Sequence, residues 1–171
     1  MKLHLGCGLD YKPGYINCDK NTTVRADKHF DLEVIPWPFP DNCADEIVMH
    51  HVLEHLHNTL AIVEEIHRIL KPGGVAIITV PYAKSGGAFG DLTHVRFFTE
   101  ETMNVFVEGH ANNFYSRARF KVETRLLCYD KGLAYKLRNL IPFRSVLKTF
   151  LWNMYDLVEY RMTKSAGSAQ T

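Results

Sequence analysis

The sequence predicts an α/β fold, a mostly parallel sheet with helices on both faces, and three observations carry that reading. Lys2–Leu5 is a short apolar run that enters Gly6-Cys7-Gly8, where two glycines let the backbone turn tightly and pass close to a ligand. Residues 15–18 form a second apolar run that closes on Asp19. A helical period over residues 51–70 is followed by Lys71-Pro72-Gly73-Gly74 and then by the all-apolar run 75–80, the pattern of a βαβ unit. In an open α/β sheet, ligands sit outside the carboxyl ends of the strands. The glycine bend gives room there, and the Asp19 carboxylate can accept hydrogen bonds from two ribose hydroxyls. Gly-Cys-Gly by itself reads equally well as an ordinary turn, so the rest of the chain has to decide.

The chain has 171 residues, enough for one domain with a sizeable core. Its net charge of +1 implies no global pull towards nucleic acid or membrane. No apolar run approaches the length needed to span a bilayer, and the first residues read as strand and ligand loop rather than as a signal peptide. Cys7, Cys18, Cys43 and Cys128 are scattered without metal-like spacing, which favours reduced thiols and a cytoplasmic location. Charge is uneven. Residues 1–116 hold 9 Lys/Arg against 15 Asp/Glu, a net of −6, whereas residues 117–148 hold 9 against 2, a net of +7. The basic block reads either as a surface for an anionic substrate, a membrane or nucleic acid, or as a solvated face balancing the acidic half.

The elements follow in order. The ten residues between Gly8 and Asp19 include Pro13-Gly14 and leave no room for a crossover helix, so a compact loop, the lid of the ligand site, is expected there. Residues 29–32 are a short third strand. Residues 35–40 carry three prolines and form a stiff aromatic loop, in which Trp37 and Phe39 either bury in the core or wall a ligand. Residues 46–49 are a buried strand ending at His50. The helix over 51–70 has Asn58 as the N-cap of its main segment. The long Gly-containing loop 81–94 is of the kind that carries function. Thr99 caps a further helix with Glu100 and Glu101 in its first turn, and residues 117–129 alternate as a strand. Residues 132–153 are helical, apolar and basic, interrupted at Pro142, and are expected to form a substrate lid or an interaction segment. Residues 154–164 read as a last edge strand in preference to a helix, and 165–171 as a disordered tail.

Taken together, LHLGCG, GYINCD, FDLEVIPWPFPDNCADEIVMHHVLEHL, ILKPGGVAIITVPY and DLTHVRFFTEETM stand in an order that resembles the class I S-adenosylmethionine-dependent methyltransferases, and most closely the small type 11-like group with a shortened glycine loop. The resemblance spans roughly residues 3–104, and weakly 117–129. It implies a Rossmann-like, doubly wound, mostly parallel sheet of seven strands or a reduced number within a core of residues 1–131, with S-adenosyl-L-methionine as cofactor. It places Leu5, Gly6, Cys7 and Gly8 under the methionine part of the cofactor, Asp19 at the ribose, Asp31 and Leu32 beside the adenine, and His50 at the methionine pocket. Two departures fall at the amino-acid end: His4 stands where an acidic residue is usual, and Asp10 replaces the third glycine of the longer motif.

Methyl transfer to an oxygen or a protonated amine needs a base. His94, in the loop that would face the methyl group, is the candidate, with Asp91 and Arg96 beside it to orient it or to bind an anionic group; the alternative is that His94 and Arg96 merely anchor the loop. Tyr82 is a candidate wall of the acceptor pocket. His51, Glu54 and His55 share one helix face. A few similar methyltransferases carry Glu-x-x-Glu-His here and bind a divalent ion, but His51 replaces the first Glu, and packing at the helix start accounts for the cluster with no metal assigned. The expected acceptor is a small molecule or glycan-type compound; peripheral membrane contact and oligomeric state stay open. Two alternatives stand beside this reading: an RNA methyltransferase using the basic 117–148 block, and a non-catalytic nucleotide-binding scaffold.

Overall fold

The computed structural model describes residues 1–129, 137–138 and 140–166. Seven strands form one sheet: β1 (Lys2–Leu5), β2 (Ile16–Asp19), β3 (Lys28–His29), β4 (Ala44–His50), β5 (Leu70–Pro81), β6 (Phe120–Leu127) and β7 (Leu157–Lys164). Their spatial order is β3-β2-β1-β4-β5-β7-β6. The first five strands pair in parallel, and β7 inserts antiparallel between β5 and β6. β1 and β2 are parallel neighbours joined by residues 6–15 without a helix, with Leu5 opposite Cys18. The crossover loop therefore carries both strand ends to the same edge of the sheet, where Gly8 and Asp19 meet.

Among the described residues, α1 (Thr59–Ile69) is the only helix longer than a single turn. Asn58 caps it, its side-chain oxygen accepting the Ala61 N–H at 3.3 Å, a contact of about 1 kcal/mol. Ile62, Val63, Ile66 and Ile69 are fully buried along one face, each worth about 1.5–3 kcal/mol. The stretch before it is not helix. Residues Leu53–His55 form a separate 3-10 turn, set off by His51 in the left-handed region at φ 53°. The proline loop docks on α1 through buried Glu65, which accepts the Trp37 N–H at 2.7 Å and pairs with Arg68. Arg68 in turn donates to the Phe39 carbonyl at 2.9 Å. Trp37 and Phe39 both lie in the core.

The carboxyl-terminal half departs further from expectation. In place of a helix after Thr99 there is a 3-10 turn over Thr102–Phe106. Thr99 donates its N–H to Thr102 Oγ1 at 2.8 Å, and its carbonyl accepts the Tyr160 hydroxyl, so the carbonyl that would open a helix is shared with the sheet. Of the expected helical segment 132–153, residues 132–136 and 139 lie outside the described residues. The remainder holds helix at residues 137–138 and one turn of helix, α3 (Arg144–Leu147), the single-turn α2 being Gly86–Phe89; Phe143, just after Pro142, sits at φ 55° and breaks the helical path. β7 is no edge strand but lies inside the sheet between β5 and β6, and its burial alternates, with Val158, Tyr160 and Met162 at 0% exposure and Arg161 exposed, because successive side chains point to opposite faces and one face is covered. Of the tail, 167–171 lie outside the described residues.

β7 ends on Lys164, whose buried ammonium donates to Asn42 Oδ1 and to the His67 and Leu70 carbonyls at 2.7–2.8 Å, a cation at the carboxyl end of α1. His67 packs its ring on Phe120, 5.1 Å between centroids. Burial, then the Lys164 and Arg119 charges, push its imidazole down to about 4. The folded chain thus holds His67 neutral where the unfolded chain, at about 6.5, begins to bind a proton. The stability this gives is complete above about pH 6.5 and is lost as pH falls towards 4, by a few kcal/mol at most. Between pH 7 and 4.5 the melting temperature of His67→Gln is expected to fall less than that of the parent; parallel curves would assign the acid sensitivity to other groups.

Candidate functional site

The glycine bend is built for close approach. Gly6 takes φ +66°, and a Cβ there would lie 2.4 Å from Val52 Cγ2. Gly8 takes φ +50°, and a Cβ there would meet nothing within 4 Å, because the backbone faces open space. That space is a cavity of about 650 Å³ walled by Gly6, Gly8, Asp19, Asp31, Leu32 and Val52, of a size that suits a nucleoside-type ligand. Asp19 accepts the Gly8 N–H at Oδ2 and the Asn21 N–H at Oδ1, both at 2.8 Å. Each oxygen keeps a second acceptor direction. Asp31 holds the Glu33 N–H at 2.9 Å.

Three of the other residues assigned to the cofactor do not line this cavity. Leu5 is buried in the core. Cys7 is buried with its thiol towards the Arg25 carbonyl, and burial and then Asp19 push its pKa up. His50 stands edge-on to His4, ring centroids 6.1 Å apart. Burial pushes both imidazoles down, and His4 contacts Asn17 at 3.2 Å, so the position usually acidic belongs here to a buried polar pair.

A second cavity, about 820 Å³, adjoins the first: His51 and His55 line both. Its walls come from the 53–55 turn, the 81–94 loop and the segment before β7. His94 reaches into it, 8% exposed, with Nδ1 2.9 Å from the Ala88 carbonyl. A carbonyl only accepts, so Nδ1 carries a proton, and in the neutral ring Nε2 is the nitrogen with the lone pair. Asp91 lies on the rim, its pKa lowered by hydrogen bonds from the Thr93 hydroxyl and N–H. Thr93 Oγ1 is 2.9 Å from His55 Nδ1, and the His55 and His94 rings stand edge to face at 4.9 Å. Arg96 points elsewhere: its guanidinium donates to the His57 carbonyl, and its N–H, with that of Val95, bonds the Glu54 carbonyl. It pins the loop against the 53–55 turn.

Tyr82 lies in the core, its hydroxyl pushed to about 12 by burial and by Glu100. Asn153 and Asp156 line the second cavity and were not singled out from sequence. Asp156 pairs with Arg138 and accepts the Tyr129 N–H at 2.8 Å. Several cations of the basic block are engaged internally: Arg138 with Asp156, Lys148 with Glu100, Lys121 with Glu123, Arg119 with the Ser116 and Ala118 carbonyls, and Arg144 over the Tyr155 ring. Among the described residues no helix is long and apolar enough to cross a membrane.

Residues 3–78 match the family model described as a methyltransferase domain. Over 75 residues the chain is 35% identical to a Mycolicibacterium smegmatis protein named "Probable S-adenosylmethionine-dependent methyltransferase", covering 43% of this chain and 28% of that one. Over 72 residues it is 31% identical to demethylmenaquinone methyltransferase of Listeria monocytogenes, covering 39% and 30%. The chain thus spans less than a third of the length of these relatives. The fold is that of a SAM-dependent methyltransferase from Archaeoglobus fulgidus, with TM-score 0.68 and 16% identity over 95% of this chain and 85% of that one. The methyltransferase-domain match begins in β1 and ends within β5, and the seven-stranded sheet that carries it has the fold of the class I S-adenosylmethionine-dependent methyltransferases.

Proposed function

We propose that the chain binds S-adenosyl-L-methionine in the glycine-walled cavity and transfers its methyl group to an oxygen or nitrogen of a small-molecule or glycan-type acceptor in the adjoining one. The observation that carries this reading is the adjacency of the two cavities across His51 and His55, with open space at Gly8 and the Asp19 carboxylate on one side and the His94 lone pair on the other. When bound, the cofactor supplies a methyl group on a positively charged sulfur, and the carbon–sulfur bond breaks with its electron pair returning to sulfur. The chain's own share is positioning, which can be worth several orders of magnitude in rate, and proton removal. Gly6 and Gly8 admit the amino-acid end, Asp19 holds the ribose, and Asp31 and Leu32 flank the base. His94 Nε2 takes the acceptor's proton, its ring held by the Ala88 carbonyl. Asp91 acts through Thr93 on the His55 side, and Arg96 keeps the loop closed on the 53–55 turn.

A second reading, a quinone-type acceptor, draws on the demethylmenaquinone relatives and on one local feature. Phe89 stacks on Phe97 at 4.5 Å and lies 5.7 Å from Trp152, all three at least half exposed or nearly so, beside the glycines that wall the acceptor cavity. The RNA alternative is weakened by the internal pairing of the basic block; if RNA binds, its affinity should fall steeply with salt. Calorimetric titration of the chain with S-adenosylhomocysteine tests the common core of these readings. Micromolar, one-to-one binding is expected, and no binding at all would leave the scaffold reading in its place.

A further inference from the structure

The wall between the two cavities holds a group that the transfer reaction alone does not require. Glu54 is 1% exposed, and neither carboxylate oxygen accepts a hydrogen bond among the described residues. His51 Nδ1 approaches Oε1 to 3.3 Å, without hydrogen-bond geometry. A carboxylate so enclosed is unfavourable unless a cation meets it. Its neighbours are two imidazoles: Glu54, His55 and His94 each offer one ligand atom, and the three atoms lie within 4.8 Å of one another.

The outer hydrogen bonds of both histidines are made at Nδ1, and His94 Nε2 stands 3.9 Å from Asp91 Oδ2, beyond hydrogen-bond reach. His94 gives its Nδ1 proton to the Ala88 carbonyl at 2.9 Å. His55 Nδ1 faces the Thr93 carbonyl at 3.3 Å and Thr93 Oγ1 at 2.9 Å, while that hydroxyl gives its own proton to Asp91 at 2.6 Å. In each ring Nδ1 carries the proton and Nε2 keeps its lone pair, the arrangement in which ligand histidines are oriented by a second layer of oxygen acceptors. The Ser85 hydroxyl, 1% exposed on the wall of the same cavity, also lacks a hydrogen-bond partner among the described residues.

We propose that Glu54, His55 and His94 hold a divalent transition-metal ion, with its open positions turned to the acceptor cavity for water or an acceptor oxygen. Two imidazoles and one carboxylate suit zinc, manganese, iron or cobalt, whereas magnesium and calcium favour oxygen throughout. Three protein ligands with an open position is the pattern of sites that act on a bound molecule rather than of closed structural ones. Ion binding here stands whether or not the chain transfers methyl groups. In the loaded chain His94 serves as a ligand, and its role as direct proton acceptor belongs to the ion-free chain.

The test uses the full chain, stripped with a chelator, then titrated with zinc(II) by calorimetry and with cobalt(II) by visible absorption. One ion per chain at micromolar or tighter affinity is expected, with a cobalt spectrum of mixed nitrogen and oxygen ligation. Glu54→Gln and His94→Ala should each weaken zinc by about a hundredfold, while His29→Ala, which removes an exposed imidazole on β3, changes it less than about twofold. Zinc and cobalt affinities no tighter than millimolar overturn the proposal, and so does zinc binding unmoved by both substitutions. The cobalt spectrum of the unsubstituted chain decides even if a variant fails to fold. S-adenosylhomocysteine is titrated into the same samples: its binding without metal binding sinks the ion site alone, and metal binding without it sinks the methyl-transfer reading alone.

Discussion

Replacing His94 by alanine should leave S-adenosylhomocysteine affinity within about threefold of the parent and lower turnover by about 10²–10⁴-fold, measured with any acceptor the parent methylates. The split between binding and turnover follows from place. His94 lines the acceptor cavity and does not line the one walled by Gly6, Gly8 and Asp19. Its loop is tied down independently of the imidazole, through the Val95 and Arg96 N–H groups on the Glu54 carbonyl and the Arg96 guanidinium on the His57 carbonyl. Alanine therefore removes one lone pair and one bond to Ala88 without releasing the segment. Both roles open to His94, proton acceptor and ion ligand, lose turnover on this substitution. They separate on the metal content of the purified variant and on pH: a direct base leaves a rising limb near the pKa of an imidazole, and its loss flattens that limb. Turnover equal to that of the parent would return His94 to a purely structural part, holding the loop.

The site was legible in sequence where one element carries it and obscure where distant elements meet. The β1 run, the glycine bend and Asp19 lie within the first nineteen residues, and their chemistry demands small residues and a carboxylate at fixed places, so pattern and structure coincide. The α1 face and its Asn58 cap are likewise local. Leu5 and Cys7 sit in the same run but turn to the core, because the side chains of a strand and its exit alternate between faces, and a motif match does not record which face is wet. Glu54 shows the opposite failure. A glutamate in the string HHVLEHL reads as part of the packing at a helix start, yet the 81–94 loop folds back over it, Val95 and Arg96 bond its backbone, and its carboxylate accepts no hydrogen bond among the described residues. Nothing local announces that His94 will come to rest against His55. Asn153 and Asp156 were hidden for the same reason: the segment before β7 reaches the second cavity because β7 runs antiparallel between β5 and β6. The helix expected after Thr99 was lost to long-range pairing as well, through the Tyr160 hydroxyl on the Thr99 carbonyl.

Asp19→Ala is expected to weaken S-adenosylhomocysteine by about a hundredfold or more, since each hydrogen bond to a charged carboxylate is worth about 1.5–3 kcal/mol and the ribose offers two hydroxyls. The carboxylate is already fixed before any ligand arrives: Gly8 and Asn21 donate to its two oxygens at 2.8 Å, and β2 delivers it to the edge of the sheet beside the end of β1. A held acceptor loses little freedom on binding, so most of its interaction appears as affinity. Asp19→Asn keeps one acceptor oxygen and lacks the charge, and its affinity should fall between those of alanine and the parent. The loss of the Gly8 and Asn21 contacts costs the fold less than it costs the ligand, because both N–H groups lie at the cavity edge within reach of water; a melting temperature close to the parent's, alongside the lost affinity, separates the two effects. Asp31→Ala, at a residue whose Oδ1 already holds the Glu33 N–H, should weaken binding by no more than about tenfold. If alanine at position 19 binds the nucleoside as well as aspartate does, then the ribose does not meet this carboxylate. The cavity beside Gly8 would have to receive its ligand in another orientation, and the adjacency of the two cavities would no longer bring the methyl group towards His94.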